Sequence, residues 1–180
     1  MEEVRLQFID TNFFFLTILC LVVTVDPQDR NLTGNSFAPN NTFFNLNDSS
    51  PTNGFIQSVT IQYRVSRLPN INARLWIYAI IPIPGGFLIC SQYPIPSSQI
   101  STSQSIQTYT LPNNTIYLAE KTYIGIGIQD TTASIATTFG SVALRTNNAN
   151  LSSNIGSREA RYFWPDDTQT GVKLSYTIIT

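Results

Sequence analysis

The residues able to do chemistry in this chain are few, and their types exclude much. Histidine is absent. That removes Ser-His-Asp and Cys-His catalysis, imidazole acid–base work and nearly every zinc or copper site. The two cysteines, Cys20 and Cys90, are too few for a thiolate metal centre or a disulfide framework. Carboxylates and aromatics remain. Glycoside hydrolysis needs two carboxyl groups flanking one bond, and the candidates are Glu120, Asp130, Glu159, Asp166 and Asp167. Glu120, Asp130, Asp166 and Asp167 fall in turns or a short link, where a solvated charge or ordinary turn chemistry is expected. No catalytic residue is assigned, and the chain reads as a non-enzyme. Asp130, Asp166 and Asp167 offer the oxygen ligands that calcium takes. No EF-hand spacing accompanies them, so simple turns are expected and no cofactor or metal site is assigned.

The aromatic residues carry the more specific signal. Tyr162, Phe163 and Trp164 run together, with Asp166, Asp167 and Gln169 just beyond. Sugars are held by that mixture, because their C–H faces stack on rings while their hydroxyls need directed partners. Tyr162, Trp164, Asp166 and Asp167 are the candidate ligand-binding residues. The competing reading places alternate members of the triplet in the core, as aromatics usually are. Trp76 and Tyr78 share one face of a strand and meet the same competition. Ile80, Ile81 and Ile83 beside a turn read either as an exposed apolar patch for a protein contact or as core reaching the sheet's end.

Composition narrows the partners. Charged residues are 12% of the chain and the net charge is −1. The usual charged share is about 25%; here Asn, Ser, Thr and Gln fill the gap. Such a neutral polar surface suits the outside of a cell. Lysine occurs only at 121 and 173, and the arginines are scattered. Nucleic-acid binding and polybasic membrane contact both need denser positive charge.

Phe13 to Val25 reads FFFLTILCLVVTV. It is short for a bilayer span, which takes about 20 residues. Three readings stay open: a cleaved signal peptide ending near Asp26, an uncleaved anchor, or an extra strand. Glu2, Glu3 and Asp10 against Arg5 oppose the first. If the segment is cleaved, Cys90 is expected to be a buried core thiol; if it stays in the fold, a Cys20–Cys90 bridge becomes an option. No membrane insertion of the mature domain is expected. Asn-x-Ser/Thr acceptors stand at Asn31, Asn40, Asn47, Asn113 and Asn150, and they count as support for secretion because exposed loops are expected there.

The elements that must position these residues are strands. In 55–65, Val59, Ile61, Tyr63 and Val65 alternate with polar residues, a period of two. Residues 74–81 (RLWIYAII) are apolar on both faces, as in a strand covered on both sides. Pro82 to Gly86 should break it, and 87–93 should return as a hairpin partner. Strands are expected at 105–111, 115–119, 123–129, 137–146, 159–164 and 172–179. In 123–129 (YIGIGIQ), Gly125 and Gly127 leave one face bare for a neighbouring strand or a ligand. The expected organisation is a possible signal peptide or extra strand at 1–25, a loop-rich lead-in with one strand at 26–54, and a core at 55–180. No helical period is visible. The expected fold is all-β, a two-sheet antiparallel β-sandwich, jelly-roll-like. The expected function is a secreted or cell-surface non-catalytic module that binds carbohydrate or an extracellular protein. The alternative is a structural or self-associating interaction domain, an oligomer built on sheet faces or strand edges.

Overall fold

Period-two alternation builds antiparallel strands, and the strands pack as layers. The computed structural model describes residues 21–25, 31–165 and 170–180. The strands are β1 (Val22–Val25), β2 (Leu32–Phe37), β3 (Asn41–Asn45), β4 (Gly54–Gln62), β5 (Arg74–Ile83), β6 (Gly86–Ile95) and β7 (Ile106–Thr110). They continue as β8 (Tyr117–Leu118), β9 (Tyr123–Gln129), β10 (Ile135–Thr138), β11 (Ala143–Thr146), β12 (Trp164–Pro165), β13 (Gly171–Val172) and β14 (Leu174–Ile179). Helix among the described residues is limited to two 3₁₀ turns, Ser97–Gln99 and Ser152–Asn154.

The fold is an all-β, antiparallel sandwich, as the alternation predicts. One sheet runs β1-β14-β4-β7 with β8 also on β4; the facing sheet runs β12-β11-β3-β9-β5-β6. A third, three-stranded sheet, β13-β10-β2, prolongs the first. The Tyr63–Ile135 bridge links the two, and the chain passes from β13 to β14 through Lys173, whose N–H donates to Ala136 O.

The inner core lies between the layers. Ile56, Val59 and Ile61 of β4 and Tyr176 and Ile178 of β14 meet Leu75, Ile77 and Ala79 of β5 and Ile124, Ile126 and Ile128 of β9. Tyr63 and Tyr109 are fully buried there. A buried phenol needs a partner: their hydroxyls bond at 2.9 Å, and Tyr109 Oη donates to Gln107 Oε1 at 2.8 Å.

The six-stranded sheet is apolar on its other face too, as its β5 sequence predicts. Phe44, Trp76, Tyr78, Ile80, Ile89, Leu144, Leu151 and Phe163 form a second core there. Phe43 and Phe44, neighbours on β3, thus serve opposite faces.

Several expectations are corrected. The 26–54 segment holds two strands, β2 and β3, because Phe37 and Phe43 anchor them in the core. The last four residues of 13–25 form β1 against β14; Cys20 and residues 13–20 lie outside the described residues. Pro82 sits within β5. Pairing to β9 ends at Ile80–Tyr123, so a proline beyond it costs no ladder bond on that side. The 137–146 stretch is two strands in different sheets, parted at Gly140 with φ 78°. Only Arg161 and Trp164–Pro165 pair within 159–165. Cys90 is a free, exposed thiol: the β5–β6 register steps from Ile80–Ile89 to Ala79–Ser91, leaving Cys90 in a bulge. Ile80 is buried, and Ile81 and Ile83 are half-buried, so they form no open patch.

Candidate functional site

The second core positions the aromatic triplet. Tyr78 Oη donates to Ala149 O at 2.8 Å and accepts the Leu151 N–H at 3.0 Å. Thr42 Oγ1 donates to Asn148 O at 2.7 Å. These bonds pin residues 148–151 against the sheet. Burial pushes the Tyr78 hydroxyl up to about 12, with the Leu151 N–H pulling the other way. Gly125 and Gly127 make the space: a Cβ on Gly127 would strike Ala149 O and the Tyr78 ring, and one on Gly125 would strike Ile80. The bare face of β9 is therefore filled by the chain itself.

Phe163 packs edge-on against Phe44, with centroids 5.0 Å apart, and against Phe87. On one side of it the Arg161 N–H donates to Phe87 O at 2.7 Å and Arg161 O accepts the Phe87 N–H. On the other, Trp164 pairs with Arg145 of β11. The same short segment thus bonds to β6 and to β11, at opposite sides of the sheet order. Three residues reach at most about 10 Å. The six-stranded sheet must curl round the aromatic cluster, and residues 161–165 close its seam. Glycines on the concave face of β9 ease that bend.

With Phe163 directed inward, its neighbours face out. Tyr162 is 68% exposed and Trp164 half-buried. Their rings lie 6.4 Å apart and 23° from parallel, the spacing of alternate residues on one face of an extended chain. They border a shallow depression of about 370 Å³ with Thr146, Asn147, Ala160 and Arg161. Arg161 Nη2 donates to Thr146 Oγ1 at 3.4 Å. The depression thus combines aromatic faces, an amide and a guanidinium. Asp166 and Asp167, the other two candidate ligand-binding residues, lie outside the described residues. Trp76 and Tyr78 are core. Alternation within 162–164 sets the middle ring opposite its neighbours, and the packing of Phe163 on Phe44 and Phe87 decides which side faces inward.

Asp130 is an organiser of turns. Its carboxylate accepts the Thr132 N–H at 2.6 Å, the Ala133 N–H at 3.1 Å, and the backbone and side-chain N–H of Asn70 at 3.0 and 2.7 Å. Burial disfavours its charged form, but the backbone donors outweigh that and hold the carboxyl below its ordinary value. Glu120 and Lys121 make an exposed 3.8 Å ion pair, and Glu159 is exposed. Among the described residues, no three His, Cys, Asp or Glu side chains gather where they could hold a metal ion. Asn31, Asn40, Asn47, Asn113 and Asn150 are all exposed.

Comparison of this chain with known protein families, with curated proteins and with solved structures gives no match.

Proposed function

We propose that this chain is a secreted or cell-surface, non-catalytic β-sandwich module that binds carbohydrate through Tyr162 and Trp164. One observation carries the reading: Phe163 anchors the segment in an aromatic core while the rings on either side stand outward and nearly parallel. A core-only role would have left both rings covered. Held rigidly, they offer stacking surface at little ordering cost, and Asn147 and Arg161 supply donors beside them. The exposed glycosylation acceptors and the low-charge surface support an extracellular setting. A glycan array tests the reading. Specific hits that disappear in Trp164→Ala, with the circular-dichroism spectrum unchanged, support it; an array without hits, or hits untouched by Trp164→Ala and Tyr162→Ala, overturns it. Intact mass from a eukaryotic secretory host tests the setting: added glycan supports it, and a chain starting at Met1 without sugar overturns it.

Self-association is the second reading. It is favoured by a hollow of about 440 Å³ where Phe55, Ile56 and Ile179 meet Gln57, Asn113, Asn114 and Thr180, beside the half-exposed Tyr117 ring packed on Phe55. Light scattering that finds a stable oligomer, with a blank array, would move the assignment there.

A further inference from the structure

We propose a second binding site, independent of the aromatic pair, in which Asn40, Asn72, Arg74 and Gln129 hold an acidic saccharide unit. The site comes from the ends of three adjacent strands. Asn40 immediately precedes β3, Gln129 ends β9 and Arg74 begins β5, and Arg74 and Gln129 are directly paired. Neighbouring strands lie about 4.8 Å apart, so these side chains form a short polar row. Asn72 comes from the loop before β5, and that loop is fixed by Asp130 gripping Asn70 and by the Asn72 N–H donating to Asn70 Oδ1 at 2.8 Å. Together with Asp130 and Thr131 they enclose a crevice of about 430 Å³.

The crevice is rich in donors. Arg74 is exposed and has no ion pair with a described residue. The amides of Asn40, Asn72 and Gln129 have no side-chain partner among the described residues, and each both donates and accepts, as a sugar hydroxyl requires. The one carboxylate lining the crevice, Asp130, is already occupied by the turn donors it accepts. The remaining imbalance favours a ligand with excess acceptors. A guanidinium binds a carboxylate through two parallel hydrogen bonds, leaving the amides for ring hydroxyls. A uronic-acid-type sugar has both groups in one unit.

Asn40 also heads an Asn-x-Thr acceptor, and a glycan there would take the same side-chain amide, so the site is complete only in chains unmodified at Asn40. The test therefore uses the full chain made without N-glycans, titrated separately with glucuronate, glucose and inorganic sulfate and followed by backbone amide shifts. Glucuronate should bind and shift the amides of Asn72, Arg74 and Gln129. Glucose and sulfate should each bind at least tenfold more weakly. Arg74→Gln should weaken glucuronate at least tenfold with an unchanged melting temperature, whereas Trp164→Ala should leave it unaffected. Any of these results overturns the proposal: no glucuronate binding, indifference to Arg74→Gln, or glucose as tight as glucuronate. Sulfate as tight as glucuronate also overturns it, since the crevice would then be a bare anion site.

Discussion

The inner face of the six-stranded sheet packs on another sheet, whereas its outer face curls round an aromatic cluster and is closed by the irregular segment 147–165. The inner solution is repetitive: aliphatic side chains alternate along β4, β5, β9 and β14. The outer one is particular. It depends on missing side chains at Gly125 and Gly127, one tyrosine hydroxyl bonding two backbone groups, and one phenylalanine seated among rings. The difference teaches where this molecule has room for function. Sheet-on-sheet packing leaves few residues free, but an irregular cover is anchored at some positions and free to display others.

Truncating the adjacent rings of β3 should separate the two faces. Phe43→Ala and Phe44→Ala should each cost about 3–5 kcal/mol, read by chemical denaturation. Phe44→Ala should also raise hydrogen exchange across 147–163 while β4 and β14 stay protected. A uniform rise in both variants would mean the two cores are one unit. Gly127→Ala should cost about 1–3 kcal/mol through overpacking against Ala149 and Tyr78, again with exchange localised to the cover. Tyr78→Phe should cost about 1–3 kcal/mol, because it strands the buried Ala149 carbonyl and Leu151 N–H.

The smallest effects are those of pH. Burial raises the hydroxyls of Tyr63, Tyr109 and Tyr176 well above the ordinary value, as it does Tyr78. The unfolded chain ionises its tyrosines near 10, so their contribution is present below that pH and is lost as pH rises toward the folded values. Ultraviolet titration should show exposed tyrosines ionising first and the buried ones only with unfolding. Asp130 behaves oppositely: its depressed value adds stability above the ordinary carboxyl range, lost as pH falls through the folded one. Asp130→Asn should flatten the acid limb of a denaturation series.

Much of the scaffold was legible in the chain. The alternation of 55–65 and the two-faced apolar run of β5 predicted a half-buried and a doubly covered strand, and both formed, except that β4 ends at Gln62 and Val65 stands exposed. Local rules failed where tertiary context decided. Pro82 is tolerated in β5 because its neighbour β9 has already ended. Gly140 splits an apparently continuous strand between two sheets. Cys90 escapes the core through a one-residue bulge that no periodicity announces. The aromatic pair was half-legible, since alternation implied that the middle residue faces away from its neighbours but not which way. The amide crevice was invisible, because Asn40, Asn72, Arg74 and Gln129 meet only once three strands align.

The chain has two tryptophans, both on the outer side of the six-stranded sheet, one buried and one displayed. Trp76 is 7% exposed in the second core, and Trp164 lies at the surface beside Tyr162. Acrylamide quenching of a Trp76→Phe variant, with and without an array-identified saccharide, reads Trp164 alone. Protection of Trp164 that saturates with saccharide is the predicted result. Unchanged quenching at saturating saccharide would contradict the claim that the closing segment displays a sugar-binding surface.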